Sequence, residues 1–174
     1  MTVFCPTFMT SSSFTPSEIA TAYHEAGHAV MALALGRNVQ RVSVQDNHLR
    51  LGQCEIKKGR FRPVKDAVEV EILILLGGLA AESRHMGHYD SMGAAQDLRE
   101  VRSLTKSRAG SQRQVERLER RMLDKADYIL DQPGVWLAAQ RIAEELLRQK
   151  TMSGRAARHL FDQAAAEAQD KDCT

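Results

Sequence analysis

Cysteine is scarce in this sequence, and the little there is forms no pattern. Cys5, Cys54 and Cys173 are odd in number, far apart and in no C-x-x-C arrangement. That argues against a disulfide framework or a cysteine zinc site and points to a reducing, cytoplasmic compartment. Cys54 then reads as a small buried hydrophobe. Charge of one sign is also lacking: 24 basic and 22 acidic residues leave +2, too weak a field to steer the chain to nucleic acid or an anionic membrane. The most apolar run, Ile72–Ala81 (ILILLGGLAA), is ten residues long, too short for a bilayer and suited to a buried helix. The N-terminal MTVFCPTFMTSSSF has neither a basic n-region nor a long apolar core, so no secretory signal is expected.

Aromatics are only 5%, whereas Ala, Leu, Glu, Gln and Arg are plentiful, a balance that favours helix over sheet. Length and composition suit one globular domain over residues 15–174, after a poorly ordered lead-in at 1–14. Thr15 as N-cap, Pro16 at the first helical position and Glu18 completing a capping box announce the first helix. Ile19, Tyr23, Ala26, Val30 and Leu33 then recur at helical spacing, and Gly36 is a natural stop. Val42 and Val44, the turn residues Asp46-Asn47, and Leu49 and Leu51 read as a short β-hairpin extending through Cys54 and Ile56. Lys57–Arg62 is a basic loop. Beyond Pro63, helices are expected at roughly 64–83, 94–109, 111–130, 134–149 and 153–168. The first of these is apolar nearly all round toward its end and belongs at the centre of the fold. His85–Gly93 and Thr151–Gly154 are read as connections.

Between Arg99 and Arg121 lie eight basic and three acidic residues, but no aromatic interleaves with them. The helical spacing of Val101, Leu104, Val115 and Leu118 makes this a solvated helix face, not a nucleic-acid patch.

The chemistry concentrates in AYHEAGHAV, residues 22–30, where His24-Glu25-Ala26-Gly27-His28 fits H-E-x-x-H. Histidines four apart share one helix face, so two imidazoles can converge on one ion. A catalytic zinc takes three protein ligands and keeps its fourth position for water, whose proton Glu25 is placed to accept. The motif arises by chance about once in a hundred sequences of this composition. Its place on a capped, apolar helix is what lends it weight. By chemistry, Glu71, Glu82, His85, His88, Asp90 or Asp97 can supply the third ligand, with His85 and His88 as flexible-loop donors, and spacing alone does not choose among them.

AYHEAGHAV, then LLGGLAAES (75–83), then SMGAAQDL (91–98) resemble, in order and spacing, the peptidase domain of the FtsH-type ATP-dependent zinc metalloproteases. QRVSVQDNHLRLGQC (40–54) resembles that family's hairpin beside the active site. ADYIL (126–130) and LAAQRIAEELLRQKTMSG (137–154) are similar to its closing helices. The resemblance implies a mainly α, zincin-like peptidase domain with a small β-hairpin, zinc held by His24, His28 and Asp97, and Glu25 as catalytic base. It also implies that the hairpin edge holds an extended polypeptide substrate as an added strand. The departures are informative. No G-x-x-x-x-G-K-[ST] loop occurs, no segment is long enough to span a membrane, and the family's glycine-methionine turn after the aspartate has no clear counterpart. The expectation is a stand-alone zinc endopeptidase acting on unfolded or flexible segments, helped with folded ones by a separate ATPase; a homo-oligomer stays open. The alternative is a catalytically silent, peptidase-like binding or regulatory module, against which the presence of Glu25 argues.

Overall fold

The computed structural model describes residues 14–45, 52–56 and 66–172. The expected lead-in, the hairpin turn with Leu49 and Leu51, the basic loop, Cys5 and Cys173 lie outside the described residues. Among the described residues, six helices and a three-stranded antiparallel sheet follow in the order α1 (Pro16–Ala34), β1 (Val39–Ser43), β2 (Gln53–Ile56), α2 (Ala67–Met86), α3 (Ala95–Lys106), α4 (Gln112–Leu130), α5 (Pro133–Gln149), β3 (Thr151–Ser153) and α6 (Gly154–Asp172). The mainly α fold class read from the sequence is the one observed. No helix among the described residues is long and apolar enough to cross a membrane.

α1 starts as its capping residues require. The Thr15 hydroxyl accepts the Glu18 N–H at 3.2 Å, and the Glu18 carboxylate accepts the Thr15 N–H at 2.9 Å. An amphipathic helix at a protein surface buries a single face. The helix is instead buried all round from Ala22 to Leu33, because alanine and glycine on the other face let α2 and α5 press against it from two sides. At the crossing with α2 the backbones touch: a Cβ on Gly27 would sit 2.2 Å from the Gly77 carbonyl oxygen. Any larger residue at that point would force the two helices apart.

α2 is the central helix, buried continuously from Ile72 to Glu82. It runs to Met86, not to 83 as expected, so His85 belongs to the helix and not to the connection. The apolar run ends at Ala81, but Arg84 and His85 suit a C-terminal turn, and Gly87, at φ 80°, supplies the left-handed residue that stops it. α3 and α4 pack as a pair against α2. Between them Arg102 meets Glu119, whose carboxylate also accepts the Thr105 hydroxyl; Arg108, just past α3, pairs with Asp66 at the N-cap of α2. Two of the arginines that raised the question of a nucleic-acid patch are thus committed to carboxylates. Val101 and Val115 on the same pair are buried.

The sheet order is β2-β1-β3. β1 begins at Val39, three residues before the alternation became visible, and pairs Val42 with Cys54 and Ser43 with Gln53. β3 falls where the sequence suggests only a break between helices. It pairs antiparallel with β1 through Val42↔Met152 and Ser43↔Thr151. Three residues are too few to display a period of two, so this strand exists through its partner alone. Cys54 is a free thiol, half-buried against the core.

Candidate metal centre

The cleft between α1, β2, α2 and the start of α3 has a volume of about 1320 Å³. One turn of α1 supplies its floor: His24, Glu25 and His28 are all buried, at 9%, 6% and 8% exposure. Asp97 enters from the first turn of α3. One ligand atom each from His24, His28 and Asp97 can be chosen so that all lie within 4.8 Å of one another. The Asp97 Oδ2 atom stands 3.1 Å from His24 Nε2 and 3.2 Å from His28 Nε2.

The other nitrogen of each ring decides what those Nε2 atoms can be. His28 Nδ1 lies 2.8 Å from the Ile74 carbonyl oxygen, and His24 Nδ1 lies 3.0 Å from Glu82 Oε2. Both partners accept, so both Nδ1 atoms donate. In the neutral rings each Nε2 then presents a lone pair, and both lone pairs point at an acidic oxygen. Three acceptors converging in a buried place call for a positive charge among them, a proton or a metal cation. Burial would push the His24 imidazole pKa down, but hydrogen bonds to Asp97 and Glu82 and the charge of Glu25 outweigh it and raise it to about 10. Burial likewise opposes ionisation of Asp97, yet its contacts with His24 and His28 hold it well below the usual carboxylate range. Two imidazole nitrogens and one carboxylate oxygen fit the donor preferences of zinc.

Glycine clears the space. A Cβ on Gly78 of α2 would lie 2.5 Å from His28 Nε2 and 2.9 Å from His24 Nε2. One on Gly52, just before β2, would lie 2.6 Å from Glu25 Oε1. Gly52 was missed in the sequence, where nothing ties a residue before a strand to a helix so much earlier in the chain. The remaining third-ligand candidates have other places. Glu71 is exposed on α2, and His88 is exposed at the cleft rim. His85 stacks on Tyr23, ring centroids 3.6 Å apart and planes 8° apart. Asp90 accepts the Met92 N–H at 2.9 Å. Glu82 is buried behind His24, on the nitrogen turned away from Asp97.

A helical domain in which an H-E-x-x-H helix meets a carboxylate from a later helix has the form of a metallopeptidase domain. Residues 15–112, more than half of the chain, match the model of Peptidase family M41, and the chain belongs to that family. Among curated proteins it is similar to the ATP-dependent zinc metalloprotease FtsH of Chlamydia trachomatis serovar L2, with 32% identity over 91 residues, which is 50% of this chain and 10% of that protein. The protein of the same name from Protochlamydia amoebophila is 34% identical over 91 residues, again 50% and 10%. That from Marinobacter nauticus is 31% identical over 104 residues, 57% of this chain and 16% of that protein. The chain thus spans only a small part of the length of these relatives.

Proposed function

We propose that residues 15–174 form a zinc-dependent endopeptidase domain in which His24, His28 and Asp97 hold the ion and Glu25 is the general base. The observation that carries this reading is the convergence of both Nε2 atoms on Asp97 Oδ2, with both Nδ1 atoms bonded to acceptors. Zinc bound there would supply Lewis-acid polarisation of a water and of the scissile carbonyl. The protein's own side chains do the rest. Glu25 lines the cleft beside Gly52 and takes a proton from the attacking water, then returns it to the leaving amine. Among the described residues β2 is an edge strand of its sheet, and its residues Gln53, Cys54 and Ile56 line the same cleft. An extended polypeptide can add to that edge through backbone hydrogen bonds. Only unfolded or flexible segments present such a backbone, so they are the substrates, and folded ones need an ATPase to open them. The free Cys54 thiol suits a reducing, cytoplasmic setting.

The test is Glu25→Gln. The variant keeps the zinc ligands and is expected to bind zinc as the wild type does, while cleavage of an unfolded casein-type substrate falls by about 10²–10⁴-fold. Equal behaviour of wild type and variant would make the domain a peptidase-like binding or regulatory module instead.

A further inference from the structure

A second depression, of about 640 Å³, lies between α2, α3 and α4, on the other face of α3 from the metal centre. Leu76 and Leu79 of α2, Leu98 and Val101 of α3 and Leu123 of α4 make it apolar, and Tyr89 stands at its lip. Only the turn before α3 and the start of that helix divide it from the catalytic cleft. Along this ridge His88, Asp90 and Met92 line the cleft, Tyr89 and Leu98 line the groove, and Arg99 lines both. Among the described residues three large hydrophobic side chains are exposed. Two of them, Tyr89 at 39% and Met92 at 85%, stand on the ridge. Single exposed apolar residues are ordinary, but a run of them joining a groove to a cleft marks a surface that binds chain. The charges set what kind of chain. Arg102 is paired with Glu119, and the Glu116 carboxylate accepts the Gln112 amide. Arg99 on α3 and Arg120 on α4 are exposed at the groove, and neither meets a carboxylate within ion-pair distance among the described residues. Arg113 and Arg117, exposed on the N-terminal half of α4, add to the positive field.

We propose that this groove is an exosite for the substrate polypeptide itself, seating an apolar side chain on Leu76, Leu79 and Leu123 while acidic neighbours pair with Arg99 and Arg120; this rests on the endopeptidase reading above. An unfolded segment held at the scissile bond extends past the cleft on both sides, and one arm crosses the ridge over Met92 and Tyr89. Crossing a helix about 10 Å wide takes roughly three to four extended residues. Once the cleft holds the chain, the second grip forms within one complex, at high effective concentration. Guanidinium groups match carboxylates in a forked, two-bond geometry, so the two arginines favour Asp and Glu and repel Lys and Arg. The groove thus selects flexible segments in which a leucine or phenylalanine stands beside acidic residues, a few residues away from the cut.

The experiment uses quenched fluorescent peptides that share one flexible core. Each carries, beyond a short glycine-serine spacer on one side of the core or the other, a Leu-Phe-Glu-Glu, a Leu-Phe-Lys-Lys or a Gly-Ser-Gly-Ser extension. The readout is kcat/KM of each extended peptide divided by that of its glycine-serine control. In the zinc-loaded wild type the acidic extension should raise the ratio about tenfold on one side of the cut, chiefly through KM, and the lysine extension should not. Arg120→Glu reverses one charge at an exposed position of α4, outside the catalytic cleft. In that variant the gain should pass from the acidic peptide to the lysine peptide. Equal ratios for the two extensions in the wild type, or a wild-type pattern in Arg120→Glu, overturn the exosite while leaving the endopeptidase reading in place. A wild type that cuts none of the peptides sinks the endopeptidase reading itself, and the exosite with it.

Discussion

Gly78→Ala separates the metal centre from the fold that carries it. The added methyl would lie 2.5 Å from His28 Nε2, 2.7 Å from His28 Cε1 and 2.9 Å from His24 Nε2, all closer than carbon tolerates. These atoms are the ends of side chains, so the rings can turn away and α2 need not move. Turning costs the hydrogen bond from His28 to Ile74, worth about 1 kcal/mol net, and that from His24 to the Glu82 carboxylate, worth about 1.5–3 kcal/mol. Replacing glycine by alanine inside a helix returns about 1 kcal/mol. The metal-free variant should therefore lose about 1.5–3 kcal/mol, a shift of roughly 3–12 °C in Tm for a protein of this size. Zinc affinity should fall by more than the roughly 10- to 100-fold that loss of a supporting partner costs, because two ligands are turned at once. Thermal melts of the metal-free protein and calorimetric zinc titration measure the two effects separately. A Gly78→Ala protein that binds zinc like the wild type would refute the placement of the ion between the two Nε2 atoms.

Gly27→Ala should behave in the opposite way. Its Cβ meets the Gly77 carbonyl oxygen at 2.2 Å, a backbone atom that cannot rotate aside, so the α1–α2 crossing must open. We expect a loss of roughly 3 kcal/mol, seen in denaturant unfolding of the metal-free protein, and an unchanged midpoint would contradict the close approach. The N-cap of α1 should make stability depend on acid. Hydrogen bonding from the Thr15 backbone, then from Lys150 and the Thr15 side chain, lowers the Glu18 pKa from 4.5 to about 2. A depressed folded-state pKa gives stability that is present above 4.5 and lost as pH falls toward 2. Glu18→Gln should flatten the fall of Tm across that window, and parallel curves would show that the carboxylate does not act there.

The sequence by itself determined the elements whose signals are short-range. Thr15, Pro16 and Glu18 lie within one turn of each other, so the start of α1 was legible and the structure shows it unchanged. The unbroken apolar run Ile72–Ala81 likewise located the central helix. H-E-x-x-H placed two imidazoles on one face because helical geometry requires it. What lay beyond those signals needed a partner distant in the chain. β3 is only three residues long and is a strand because β1 lies beside it. Gly52 matters because Glu25, 27 positions earlier, needs the room. Six side chains had the chemistry of a third ligand, and family resemblance favoured Asp97. The packing of α3 on α2 sets Asp97 against the two Nε2 atoms, while the packing of α1 on α2 sends Glu82 to the far side of His24 and turns His85 onto Tyr23. Periodicity and capping act over a few residues, whereas a buried charge finds its partner only when the helices close around it.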